Sequence, residues 1–213
     1  MISYLRTYER LGLKAIPMKA DTGPIGGDYS HEFLVLANTG ESQVFYDKEI
    51  SNLSLGEQKI DYENYSNLES IVHKFTTPYA RTDETHDKDL FEKIPEARRV
   101  EGRGIEVGQI FYFGTKYSES MGAKIDLANG KRIPIEMGSH GIGVSRLVGA
   151  LIEANHDEQG IIWPASVSPF DAVIINLKQN DQLCNEISIK IYNMLKANGF
   201  DVRMEYGGLD CEL

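Results

Sequence analysis

Apolar residues recur at helical spacing from the first turn of the chain. Ile2, Leu5, Tyr8 and Leu11 fall on one stripe, and Gly12 stands where a helix C-cap glycine belongs. Only Ser3 offers a start signal, so the segment reads as the tail of a longer helix. Lys14 to Ala20 then predicts a strand, followed by the turn-rich run Asp21-Thr22-Gly23-Pro24-Ile25-Gly26-Gly27. Glu32 to Leu36 and Gln43 to Tyr46 predict two further strands.

Between Leu53 and Val100 polar and charged residues dominate, with a short helix expected near Leu68–Phe75 and a turn at Thr76-Thr77-Pro78. This stretch reads as an insertion on the main sheet. Gly104 to Tyr117, rich in Ile, Val, Phe and Tyr, predicts one long strand or two joined ones. Lys131 to Glu136 predicts another after the Asn129-Gly130 hairpin signal. A helix is expected from Gly141 to Asn155, with Val144, Leu147, Val148, Leu151 and Ile152 as its buried stripe. Beyond Trp163-Pro164 and Ser168-Pro169, the apolar run Ala172–Leu177, the amphipathic helix Asp181–Ala197, Gly199 as its cap and the strand Asp201–Glu205 read as a β-α-β unit. The expected organisation is α+β. A mixed, mainly antiparallel sheet flanked by helices occupies 1–165, with 53–100 as the insertion, and the opening of an α/β domain occupies 166–213.

Composition narrows the function classes. Hydrophobic residues make up 41% and charged residues 25%, the balance of a soluble globular protein. No apolar run approaches the roughly 20 residues that cross a bilayer, and the N-terminus lacks a secretory leader. Cys184 and Cys211 are the only two cysteines and form neither a metal-ligand pair nor a disulfide framework. A cytoplasmic location is expected. A net charge of −10 and a pI of about 5.0 argue against non-specific nucleic-acid binding by the bulk surface. The one basic cluster, Lys93, Arg98, Arg99 and Arg103, is diluted by Glu92, Glu96 and Glu101 and reads as a solvated face.

Candidate chemistry concentrates in Glu136-Met137-Gly138-Ser139-His140-Gly141-Ile142-Gly143-Val144-Ser145-Arg146-Leu147. Glycines let a ligand approach the backbone, free N–H groups at a helix start attract anions, and an arginine one turn in can fork onto a phosphate. Taken alone the pattern also fits tight helix–strand packing. His31 beside Phe33 could equally be a hydrogen-bonded core histidine, Gln109 a solvent-facing strand residue, and Ser139 a helix cap. His73, His86, His140 and His156 have no metal-ligand spacing, and no metal site is expected.

The combination is more specific. Glu136 to Arg146 resembles motif 3 of the class II aminoacyl-tRNA synthetases, in the form used by bacterial prolyl-tRNA synthetases. Asp21 to Gly27 leading to Ser30-His31-Glu32-Phe33 resembles that family's proline-site loop. Glu106-Val107-Gly108-Gln109-Ile110-Phe111 through Gly114-Thr115-Lys116-Tyr117-Ser118 resembles its core strands, and Gly160-Ile161-Ile162-Trp163-Pro164 its exit toward the anticodon-binding domain. The resemblance covers the chain apart from 53–100 and the last eight residues.

It implies ATP-dependent formation of prolyl-adenylate and transfer of proline to tRNA. Arg146 would contact ATP, with Gly141 and Gly143 giving the backbone room. Gln109 and Thr115 would sit near the adenylate or the tRNA end, and His31, Glu32 and Ser139 would line the proline pocket. Magnesium would accompany the ATP phosphates. The implied partners are proline and tRNA(Pro), with no membrane, and family members are homodimers. Two positions depart from the family: Gln109 stands where bacterial members often carry histidine, and His140 where they often carry tyrosine. At roughly 50 residues, 53–100 is too short for the editing domain found in many relatives, which exceeds about 100 residues. No segment resembles the dimer-forming motif 1, motif 2 or the early proline-site Thr-x-Glu. The expectation is a chain inactive by itself, the alternative being a non-catalytic binding or regulatory module on a synthetase scaffold.

Overall fold

The computed structural model describes residues 1–27 and 29–206. Of the last eight residues, which depart from the family pattern, only Tyr206 is described, and Cys211 lies outside the described residues. The chain divides into two compact units, 1–163 and 164–213.

The first unit opens with α1 (Ile2–Arg10), which buries Ile2, Leu5 and Tyr8 and closes before Gly12 at φ +76°. Strands β1 (Ala15–Lys19), β2 (Tyr29–Leu36) and β3 (Ser42–Asp47) follow, then α2 (Tyr65–Thr76), β4 (Ala80–Thr82), the single turn α3 (Lys88–Phe91) and the long strand β5 (Arg99–Gly114). After β5 come α4 (Lys116–Met121), the hairpin β6 (Lys124–Asp126)–β7 (Arg132–Pro134), β8 (Met137–Ile142) and α5 (Val144–Ala154). A short pair, β9 (His156–Asp157) and β10 (Gly160–Ile161), ends the unit.

The main sheet has the order β2-β1-β4-β3-β5-β8, and β2 also pairs with β5. Five strands therefore close a ring of pairings, with β8 attached to β5. All these pairs are antiparallel except β1 with β4, which touch in parallel at Lys19 and Arg81. Alternate residues of the strands point to opposite faces. One set, Ile16, Met18, Leu34, Val44, Tyr46 and Ala80, forms a single buried cluster closed by Ile50. On the other face Phe33 packs against Tyr4 and Tyr8 of α1, with ring centroids 5.2 and 5.5 Å away. Gly108 permits that approach, because a Cβ there would fall 2.3 Å from the Tyr8 hydroxyl.

Several expectations change. The 53–100 stretch is not set apart from the sheet: β4 pairs with both β3 and β1, and Thr82 is buried. Phe45, Tyr79, His86 and Phe91 pack as one aromatic group around it, His86 stacking on Phe45 at 3.7 Å and bonding the Tyr79 hydroxyl at 2.9 Å. Its apolar positions are spread among charges, so no period betrays the packing. The expected strand through Tyr117 stops at Gly114, whose φ of +54° turns the chain into α4. The expected helix from Gly141 begins at Val144, because Met137–Ile142 pairs with β5. In α5 the buried residues are Leu147, Ala150 and Leu151, while Val144 and Val148 are 74% and 53% exposed. Of the basic cluster, Lys93 and Arg103 are exposed as expected and Arg98 and Arg99 half-buried, but the three arginines also tie segments of the fold together. Arg98 pairs with Asp47 and Glu49, Arg99 donates to the carbonyls of Ile94 and Glu92, and Arg103 donates to those of Gly40 and Glu41.

The second unit is a β-α-β unit. Strands β11 (Ala172–Asn176) and β12 (Val202–Tyr206) pair in parallel, and α6 (Gln182–Ala197) packs against both. Asp181 caps α6 by accepting from the Cys184 N–H at 3.1 Å. Val173 and Ile175 face away from the helix and are half exposed. Among the described residues no helix is long and apolar enough to cross a membrane.

Candidate functional site

Three strands bring the candidate residues together in register. Glu32, Gln109 and Gly141 lie side by side on β2, β5 and β8, and Ser30, Phe111 and Ser139 form the next row on the same face. This is the face of Met18 and Leu34, so the site lies at the end of the buried cluster. Gln109 Nε2 donates to Ser30 Oγ at 2.9 Å and to Glu32 Oε1 at 3.4 Å. Burial pushes the Glu32 carboxyl up to about 7, and the charges of Glu106, Glu84, Glu41 and Asp83 add to the rise. Burial likewise holds Glu106 above the usual carboxylate range, against the pull of Arg146.

Arg146, in the first turn of α5, is drawn back to this acidic group. Its Nη1 donates to Glu41 Oε1 at 3.0 Å and to the Glu106 carbonyl at 2.9 Å, and lies 3.7 Å from Glu106 Oε2. Gly143 caps α5 with no side chain, and its own N–H is tied to the Val107 carbonyl at 3.0 Å. A Cβ on Gly141 would meet nothing within 4 Å, whereas one on Gly143 would lie 3.3 Å from Arg146 Cβ. Gly141 therefore leaves open space, and Gly143 serves the close fit of arginine to strand. Ser139 sits within β8, not at the helix start, so the capping role weighed for it is gone.

The loop before β2 is folded against the far end of β5. The Ile25 carbonyl accepts from Lys116 Nζ at 2.9 Å and from the Tyr117 hydroxyl. Gly27 has φ +117°, and a Cβ there would lie 2.6 Å from the Tyr112 carbonyl. Only glycine meets both demands.

Two expected members are not brought to the site. His31 alternates with Glu32 and faces the other side, beside His140 and Tyr29 around a cavity of about 360 Å³. Burial there lowers its pKa to about 4, helped by Lys19, so it is neutral at pH 7. Thr115 lies past the end of β5 at the start of α4, where its hydroxyl donates to Glu119 at 2.9 Å. Conversely, Ser30, Glu41 and Glu106 belong to the site and were not singled out. Glu106 and Ser30 stood within the quoted motifs. Glu41 carried no signal, because its role depends on a contact 105 positions away.

No protein-family model matches the chain. It is 62% identical over 201 residues to a proline–tRNA ligase of Paracoccus denitrificans, a match that covers 94% of this chain and 45% of that protein. A proline–tRNA ligase of Ruegeria sp. is 58% identical over 212 residues, covering 98% of this chain and 47% of that protein. These spans take in 53–100, which the motif comparison had left outside the resemblance. Among solved structures, the prolyl-tRNA synthetase of Cryptosporidium parvum complexed with L-proline and AMP shares the fold, with a TM-score of 0.59 at 14% identity. That match covers 97% of this chain and 31% of the other. The chain is thus homologous to proline–tRNA ligases over nearly all of its own length and slightly less than half of theirs.

Proposed function

We propose that the chain carries part of the active site of a proline–tRNA ligase, holding ATP through Arg146 and proline through Glu32 and Ser139. The observation that carries this reading is a carboxylate, Glu32, held by the amide of Gln109, with the Arg146 guanidinium joined to the same acidic group through Glu41 and Glu106. A carboxylate suits the ammonium of an amino acid, and a guanidinium suits a phosphate. The relatives' names and the L-proline and AMP bound in the Cryptosporidium structure fit this pairing.

In the first step a carboxylate oxygen of proline attacks the α-phosphorus of ATP, the bond to the β-phosphate breaks, and pyrophosphate leaves. In the second, a hydroxyl at the 3′ end of tRNA(Pro) attacks the prolyl carbonyl and AMP leaves. Neither step needs a protein nucleophile. The residues act by position and by charge. Arg146 would offset charge on the phosphates, and the open backbone at Gly141 would admit the nucleotide. Gln109 would keep the Glu32 carboxyl aimed into the site. His31 is left out of the proline pocket and supports β2 from behind. Magnesium would arrive with the ATP phosphates and neutralise the leaving pyrophosphate. A cytoplasmic setting goes with this role.

The chain spans less than half of its relatives' length, so we propose that its residues complete the site together with groups outside these 213 positions. The test is proline-dependent exchange between ATP and pyrophosphate. It is run on the chain alone and on the chain mixed with a polypeptide spanning the rest of the Paracoccus relative. Exchange only in the mixture, lost in Arg146→Ala, supports the reading. Proline-independent behaviour, or an Arg146→Ala mixture as active as wild type, defeats it.

A further inference from the structure

Segment 37–41, which joins β2 to β3, rests directly on β5. A Cβ built on Gly40 would come 2.3 Å from the Gly104 carbonyl carbon, so backbone lies on backbone. Arg103 fixes the segment there, Nε donating to the Gly40 carbonyl at 2.6 Å and Nη2 to that of Glu41 at 3.0 Å. From this support two side chains reach α5. Thr39 Oγ1 donates to Glu153 Oε2 at 2.7 Å, and Glu41 Oε1 accepts from Arg146 Nη1 at 3.0 Å. Positions 146 and 153 are two turns apart on one helix face. The Glu41 carboxylate is itself oriented, because Oε1 also accepts from the Glu106 backbone N–H at 3.3 Å.

The pattern on the guanidinium is one-sided. Its contacts with Glu41 and with the backbone carbonyl and Oε2 of Glu106 all fall on Nη1. Among the described residues Nε and Nη2 have no protein partner, and Arg146 is half exposed. A guanidinium offers donors in a rigid planar fork, and fixing one corner fixes the direction of the remaining edge.

We infer that Glu41 is a positioning residue, holding Arg146 by one corner so that its Nε–Nη2 edge is preset for a pair of phosphate oxygens. The inference rests on the proposed assignment of Arg146 to ATP. A merely structural ion pair would leave ligand binding unchanged. A competing one would weaken binding, because Glu41 would hold the arginine away from the phosphates. Presetting instead removes part of the cost of ordering a long side chain on binding, worth about two- to tenfold in affinity.

The experiment follows the Arg146 side-chain Nε–Hε signal by NMR in the wild-type chain, Glu41→Gln and Glu41→Ala, with circular dichroism confirming the fold of each. Magnesium-ATP is then titrated into all three, each mixed with the polypeptide spanning the rest of the Paracoccus relative. Slow guanidinium motion in wild type and Glu41→Gln, and faster motion in Glu41→Ala, is expected. Affinity for ATP should fall about two- to tenfold in Glu41→Ala and largely return in Glu41→Gln. Equal motion in wild type and Glu41→Ala overturns the inference, as does unchanged or tighter ATP binding in Glu41→Ala. Ordered Arg146 in a wild-type mixture that binds no ATP would uphold the hold on the arginine and instead overturn the assignment of its ligand.

Discussion

Glu32 and His31 are neighbours in sequence with opposite faces and opposite proton demands. The folded chain keeps a proton on Glu32 up to about pH 7, against 4.5 for the ordinary group, so its contribution to stability is lost as pH rises between the two. His31 is held neutral down to about pH 4 against 6.5, so its contribution is lost as pH falls through that window. The slopes oppose one another between about pH 4.5 and 6.5. Removing one partner should expose the other. Thermal melting of Glu32→Gln should exceed wild type by a few degrees at pH 8 and match it at pH 4, after allowing for partial solvent screening. His31→Gln should flatten the fall in melting temperature below pH 6. A Glu32→Gln chain less stable than wild type at pH 8 would mean that the carboxylate is matched by charge. Carrying this strain suits a ligand site, where an incoming ammonium would supply the missing partner.

At the scale of elements, β5 organises the molecule: it receives β3, β2 and β8 along its length, and segment 37–41 crosses it at Gly104. Gly40→Ala should therefore cost more than an ordinary loop substitution, about 2 kcal/mol or more by urea unfolding. It should also loosen the Glu41–Arg146 pair. A Gly40→Ala chain of wild-type stability would show that the crossing is not close. Much of this architecture was legible. The strands β1, β2 and β3, the helices α1, α2 and α6 and the β-α-β unit all followed from periodicity and turn residues. Legibility failed where pairing overrode local signal. Met137–Ile142 contains two glycines and a histidine and has no strand pattern, yet β5 supplies its partners. Ala80–Thr82 is too short to carry a period, and only its neighbours β1 and β3 make it a strand. The site was legible in its residue types but not in its sides. Motif resemblance marked His31 and Glu32 together, and only the alternation of β2 separates them.

At the scale of the whole molecule, the two units differ in what they bury. The first closes a ring of strands over fully buried Met18, Leu34 and Val44. Among its described residues the second has two paired strands and one α-helix, and Val173, Ile175, Leu177, Ile187 and Met194 are exposed. Two strands with one covered face are marginal in water. In hydrogen exchange on the 213-residue chain, amides of β11 and β12 should exchange well before those of β2 and β5. Equal protection would show that the second unit is stabilised beyond its own packing. Homology, the fold and the Glu32–Gln109 pair, joined to Arg146 through Glu41 and Glu106, support the proposal that this chain holds part of a proline-activating site. The most direct test is proline-dependent exchange of labelled pyrophosphate into ATP, with the chain alone and with the remaining length of the Paracoccus relative supplied in trans. The account predicts exchange in the mixture, falling by about a hundredfold or more in Arg146→Ala. A folded mixture with no proline-dependent exchange, or one indifferent to Arg146, would contradict it.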